Sequence, residues 1–313
     1  MRLTRADAIG PATRRQYLRA FSMMFEAWCD ETLGHGVLQG GVTAPVLDAW
    51  CTEFVGDLYT EFDGHMYHIA SQLCHGIFFV MGERYRGHLP ELARVCRAWR
   101  VRSPGESHQP MPASWVDLVA VTLGSKGNLR LAMGILVAFD SFLRISELLR
   151  LTREDVLLAD DARALGSREG GMMGGLRLRT TKTGRNQFAP IRADDTHHYL
   201  RWLCEVTPPG APLFPFSPAE FNEALGSACT SLGLPIFTAH SLRHGAASHA
   251  ALRGIDPEVI RRWGRWKVPH SMDTYLQQVQ ALLLRCTAPP ALEPFLARAP
   301  RWRSALFSLC PVR

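Results

Sequence analysis

The chain has 313 residues, of which 47% are apolar and 20% charged, and a formal net charge of +6. That composition excludes a disordered polymer, and the length suits two domains better than one. The longest apolar window, Leu131 to Leu143, is too short to span a bilayer and contains Asp140. The N-terminal MRLTRADAIG lacks the apolar core of a secretory signal, so a soluble intracellular protein is expected.

The eight cysteines form no CxxC pair and sit mostly inside apolar helical patterns, which points to reduced, buried thiols rather than disulfides. Charge is uneven along the chain. Residues 1–100 hold 10 Arg against 11 acidic groups, a balance of −1, whereas residues 101–313 hold 25 basic against 18 acidic groups, a balance of +7. A polyanion site therefore belongs in the C-terminal part. A GC-rich genome also inflates arginine, and 32 Arg against 3 Lys fits that simpler origin.

From Thr13 the stripe Tyr17, Phe21, Met24, Trp28 predicts a first helix running to about Glu31. A glycine-rich break at Gly34 to Gly41 precedes Thr43-Ala-Pro45, which opens a second helix through about Tyr59. Further helices are predicted over Met66–Arg84 and Pro90–Arg100, and four helices with short connections make a small bundle. The segment from Val101 to Pro112 is rich in Pro, Gly and Ser and reads as a linker. Ser114-Trp-Val-Asp117 then looks like a capping box that begins a new helical domain.

Leu129 to Asp140 is predicted as a helix, followed by Ser141-Phe-Leu-Arg144-Ile-Ser-Glu147. Arg144 and Glu147 at i,i+3 face the same way, and by spacing alone they read as a surface ion pair of about 0.5 kcal/mol. Leu176-Arg-Leu-Arg-Thr-Thr and Gln187-Phe-Ala-Pro-Ile form the arms of a predicted β-hairpin turning at Lys182-Thr-Gly-Arg185. Helices are predicted over Asp195–Val206 and from Ser217-Pro-Ala-Glu220, a cap with an N1 proline, to Leu232.

The stretch from Thr238 to Tyr275 concentrates the chemistry. Thr238 reads as the N-cap of a helix over Ala239–Arg253, which puts His240 and Arg243 on one face near a helix N-terminus. Free N–H groups and the helix dipole attract anions there, and phosphate is the natural ligand. A second helix opens at Asp256-Pro257-Glu258 and ends near Gly264. Trp266 follows, and Tyr275 comes nine residues later in a further helical segment introduced by Pro269. An imidazole, a guanidinium and an indole N–H are the company that a phenol needs to act as a nucleophile.

The order His240-Ser-Leu-Arg243-His244, Trp266, Tyr275, with Arg144 in LRISELLRL and Lys182 in a hairpin upstream, resembles the tyrosine recombinases, also called the phage integrase family. The resemblance implies a mainly α fold with a small β-hairpin or sheet. Residues 1–100 would be a helical core-binding domain, 101–112 a linker, 113–288 the catalytic domain and 289–313 a tail that docks on a neighbouring protomer. It implies a site-specific DNA recombinase or integrase of a mobile element, phage or host, working through a 3′-phosphotyrosyl intermediate and clamped on duplex DNA. The homotetramer would assemble on two sites in the cytoplasm, nucleoid or nucleus.

By the same resemblance Tyr275 is the nucleophile, Arg144 and Arg243 clamp the phosphate, Lys182 protonates the leaving 5′ oxygen and His240 assists as base. Trp266 stands where the family has His or Trp and donates its indole N–H, while Glu147 orients its neighbours. No cofactor and no metal are implied. Guanidinium suits the clamp because its planar fork binds phosphate bidentately and keeps its charge. Two other readings share these residues: a type IB topoisomerase, and a catalytically silent descendant that only binds DNA. A zinc site at His240 and His244 is opposed by Arg243 lying between them and by the missing glutamate of the zincin pattern. His244, His249 and His270 read as structural.

Overall fold

A computed structural model describes residues 9–104, 108–158, 174–181, 184–267 and 270–306. These form two compact units that divide after residue 106. Among the described residues no helix is long and apolar enough to cross a membrane.

The first unit is all helical. Its first helix runs through Pro11–Leu18, Arg19–Phe25 and Glu26–Thr32, and the middle piece is π-helical, a local widening that periodicity does not predict. The helices Ala44–Glu61, Tyr67–Val80 and Pro90–Arg102 complete the bundle. The carboxylate of Asp48 accepts from the N–H groups of Glu91 and Leu92 at 3.0 and 2.8 Å, capping a helix 43 residues away in sequence. Phe25, Leu47, Leu73 and Ile77 fill the core. Cys74 and Cys96 lie Sγ to Sγ at 3.8 Å, and all seven described cysteines are free.

The segment 101–112 divides: Arg102 still belongs to the last helix of the first unit, whereas Met111 is fully buried in the second and its N–H donates to the Ser241 carbonyl at 3.1 Å. Gly245 lies under Met111, and a Cβ at position 245 would collide with the Met111 backbone.

The second unit begins with the helix Ala113–Ser125, one residue before the expected cap at Ser114. Asp117 caps nothing there; it pairs with Arg303 at 3.0 Å. Leu129–Asp140 and the single turn Ile145–Leu148 follow. The hairpin strands are Gly174–Thr181 and Gly184–Ile191, with Leu176 opposite Ala189 and Thr181 opposite Gly184. A third strand, Val156–Leu158, pairs antiparallel with the first arm to give a three-stranded sheet, which the sequence pattern does not predict. In order along the chain the strands are β1 (Val156–Leu158), β2 (Gly174–Thr181) and β3 (Gly184–Ile191).

Helices Asp194–Val206, Pro218–Ser231, Ala239–Leu252 and Pro257–Gly264 surround a core of Trp115, Leu136, Phe142, Phe214, Phe221 and Leu242. After the short turn His270–Asp273 come Gln278–Cys286 and Glu293–Ala305. The last helix packs on Ala113–Ser125 of its own chain. Its Arg303 reaches both Asp117 and Asp195, and the Tyr199 hydroxyl donates to the Arg303 carbonyl at 2.6 Å. Residues 307–313 of the predicted tail lie outside the described residues.

Candidate active site

The helix Ala239–Leu252 carries the centre of the site. Thr238 is the N-cap residue, with the extended backbone of that position, but its hydroxyl is buried without a partner and other side chains supply the acceptors. Asn222, on the helix Pro218–Ser231, accepts from the Ala239 N–H at 2.8 Å, and Ser241 Oγ accepts from the Thr238 N–H at 3.4 Å. This borrowed cap fixes the first turn, on which His240 sits half-buried and from which Arg243 points inward.

Arg243 is fully buried. Its guanidinium donates to the carbonyls of Phe142 and Gly264 and lies 4.6 Å from the centre of the Trp266 ring and 5.5 Å from that of Tyr275. Burial pushes the Arg243 guanidinium down from its ordinary range, and the charges of Arg144 and Arg265 push the same way, while Glu147 opposes them.

Glu147 is the hub of these charges, and the i,i+3 pair that spacing assigns to the surface is in fact interior: Glu147 is 3% exposed. Its Oε1 accepts from the Arg144 guanidinium at 2.8 Å. Its Oε2 accepts from the Arg144 backbone N–H at 3.0 Å and from Arg265 at 2.7 Å, with Arg243 at 4.0 Å. Burial alone would raise this carboxyl; the Arg265 charge, the Arg144 N–H and Arg243 outweigh it and hold Glu147 below the usual carboxylate range. Three guanidiniums about one carboxylate leave a net positive pocket.

Tyr275 follows the turn His270–Asp273. Its N–H donates to the Met272 carbonyl at 2.7 Å, and its own carbonyl accepts from Ser248 Oγ at 2.9 Å. Ser248 Oγ also accepts from the Gln277 N–H at 2.9 Å, so a hydroxyl on the central helix clamps the backbone on both sides of the tyrosine. The phenolic oxygen lies 3.3 Å from His240 Nε2. The ring rests 4.2 Å from the His244 ring and 4.8 Å from Trp266, centre to centre.

Trp266 reaches this place because Gly264 has no side chain: its ring folds back over Gly264, where a Cβ would overlap it. His244 is buried, its Nδ1 faces the Gln277 amide at 3.3 Å, and His108 adds a third ring 4.7 Å from His240. Burial, then His240, His108 and Arg243, push His244 down to about 3, so it is neutral at physiological pH.

The structure thus brings Arg144, Glu147, His240, Arg243, Trp266 and Tyr275 into one place. Lys182 lies outside the described residues, between β2 and β3. Arg265, Ser248, Gln277 and His108 belong to the same site, and sequence reasoning missed them. Among buried polar atoms with no partner in the described residues are three N–H donors here: Arg243 Nε, Arg265 Nε and Trp266 Nε1. Unpaired buried donors are costly, and an anion bound at Arg243 or Trp266 would offset that cost.

The model of the phage integrase family matches residues 115–281, an interval that contains every predicted site residue. No curated protein matches the chain by sequence. Among solved structures the chain is similar to a fragment of the Tn1549 transposon integrase in complex with transposon right end DNA, at 16% identity and a TM-score of 0.54, covering 88% of this chain and 99% of that one. It is also similar to lambda integrase in a dimer bound to a COC′ core site, at 13% identity and a TM-score of 0.55, covering 87% and 82%. At these identities the likeness is one of fold.

Proposed function

The chain belongs to the phage integrase family and is a tyrosine recombinase, an enzyme that cuts and rejoins DNA strands; from that premise we propose that Tyr275 is its nucleophile and that Arg144 and Arg243 hold the phosphate under attack. The observation that carries this reading is the 3.3 Å approach of Tyr275 Oη to His240 Nε2, beside the buried, unpartnered N–H groups of Arg243, Arg265 and Trp266. A hydroxyl next to a base, with guanidiniums and an indole N–H around it, is the arrangement nucleophilic attack on a phosphodiester requires.

In the forward step Tyr275 Oη forms a bond to phosphorus and the P–O5′ bond breaks. The phenolic proton passes to His240, whose Nε2 accepts it when the neutral ring carries its proton on Nδ1. Negative charge that builds on the non-bridging oxygens meets the guanidiniums of Arg144 and Arg243 and the indole N–H of Trp266, and preorganised donors of this kind supply several kcal/mol. By the family resemblance, Lys182 gives a proton to the leaving O5′. The products are a 3′-phosphotyrosine and a free 5′-hydroxyl. The energy of the phosphodiester stays in the tyrosyl link, so attack by a second 5′-hydroxyl rejoins the strand without ATP or metal.

Double-stranded DNA is the partner, and the assembly we infer is a homotetramer on two sites, in which the helix Glu293–Ala305 exchanges its own docking ledge for a neighbour's. The test of the chemistry is capture on nicked suicide duplexes drawn from a pool randomised around the nick. The wild type should become covalently linked to DNA, and Tyr275→Phe should not. An adduct that survives the substitution would move the nucleophile elsewhere, whereas relaxation of plasmids at no preferred sequence would favour the topoisomerase reading.

A further inference from the structure

Arg265 occupies a backbone position that glycine takes most easily. It ends the helix Pro257–Gly264 with φ 57° and ψ 37°, in the left-handed region where a Cβ crowds the neighbouring carbonyl. A non-glycine residue persists there only when the surroundings hold it. Here they do: the side chain is 5% exposed, and its guanidinium donates to Glu147 Oε2 at 2.7 Å, the Trp263 carbonyl at 2.9 Å and the Phe142 carbonyl at 3.2 Å.

The partners of Glu147 show what this contact does. Oε1 is taken by the Arg144 guanidinium, and Oε2 is taken by Arg265 together with the Arg144 N–H. Arg243 stands farther off, at 4.0 Å from the same Oε2. Without Arg265, that oxygen faces Arg243 with no other guanidinium on it. A buried carboxylate in low dielectric then draws the remaining charge to itself.

We propose that Arg265 is a positioning residue: by satisfying Glu147 Oε2 it keeps the carboxylate from capturing Arg243, and so leaves the unpartnered Nε of Arg243 to the scissile phosphate. The role rests on the phosphate-clamp reading above, and it acts through Glu147 rather than on the DNA. The left-handed backbone is tolerated because the guanidinium is needed at this spot.

The test separates backbone from charge. Arg265→Gly suits the backbone better than arginine and removes the guanidinium. With nicked duplexes selected for covalent capture by the wild type, R265G should bind DNA within about threefold of wild type. At saturating DNA its adduct formation should be slower by about a hundredfold. Its rate should also fall off at a higher pH on the acid side, because Glu147 has lost the charge that most opposes its protonation. In a Glu147→Gln background, where no carboxylate is left to capture Arg243, the same change should cost less than about threefold. Arg265→Lys, which keeps the charge but not the planar fork, should recover about tenfold and stay about tenfold slower than wild type.

If R265G melts well below the wild type, R265K and R265K/E147Q replace it, and the same coupling is expected at about tenfold. An R265G rate equal to wild type, or a loss that persists undiminished with E147Q, would overturn the proposal. A wild type that captures no duplex overturns the phosphate-clamp reading and this one with it, an outcome distinct from a wild type that reacts and an R265G that reacts equally well.

Discussion

His244 shows how burial sets the protonation of one side chain and, through it, the response of the whole unit to acid. Its folded-state value lies near 3, against about 6.5 for a free imidazole. The unfolded chain therefore takes up a proton first as pH falls. The stability linked to this group is complete above about 6.5 and drains away as pH drops from there toward 3. His249, also pushed down by burial and by Arg253, Arg192 and Arg285, acts with the same sign. We expect the unfolding midpoint to decline steadily between pH 7 and 5, and His244→Gln to flatten part of that decline in denaturant titrations. A slope that H244Q leaves unchanged would place the acid sensitivity elsewhere. At this scale the motif residues were legible because their order and spacing survive as text. The interior setting of Glu147 was not, since an i,i+3 spacing is the same on a surface as in a core. Arg265 was not legible either: its partner lies 118 residues away and its backbone conformation leaves no mark on composition.

The path from the helix Pro257–Gly264 to Trp266 depends on two adjoining residues of opposite kind, a glycine under the indole and an arginine in the left-handed region. Gly264→Ala puts a methyl group into the Trp266 ring. Overpacking of this sort costs about 1–3 kcal/mol, and the displaced ring would also uncover Arg243 and Tyr275. The expected result is a lowered denaturant midpoint together with loss of covalent DNA capture, whereas an intact midpoint with intact capture would show that the ring can settle elsewhere. Most elements were readable from their punctuation. Ser217 and Glu220 make the reciprocal cap their spacing suggests, with bonds of 3.2 and 2.7 Å, and Asp256 caps its helix ahead of Pro257. The strand β1 was missed because three apolar residues have no period to detect. Thr238 is the N-cap residue of Ala239–Leu252 that its sequence suggests, but the acceptor for the Ala239 N–H, Asn222, comes from another helix and leaves no local mark.

Within the second unit Tyr275 is tied to the helix of its own chain that carries His240 and Arg243. If each active site is built this way in the working assembly, mixing Tyr275→Phe protein with Arg144→Ala protein should not restore capture of nicked DNA beyond either alone. Recovery to a sizeable fraction of wild type would mean that tyrosines are lent between chains. The whole-molecule features hardest to read were those made by distant charges: Arg303 binds Asp117 and Asp195 across 186 and 108 positions, and seats the last helix on its own unit. The Ser248 hydroxyl, which grips the Tyr275 carbonyl and the Gln277 N–H together, has a consequence for timing. If Tyr275 is the nucleophile, its tether on both flanks sets it in place ahead of any DNA, and no copy then waits for a neighbour to furnish its blade. In a multi-copy complex, which strands are cut first must then be decided by a restraint imposed between copies and not by a missing part.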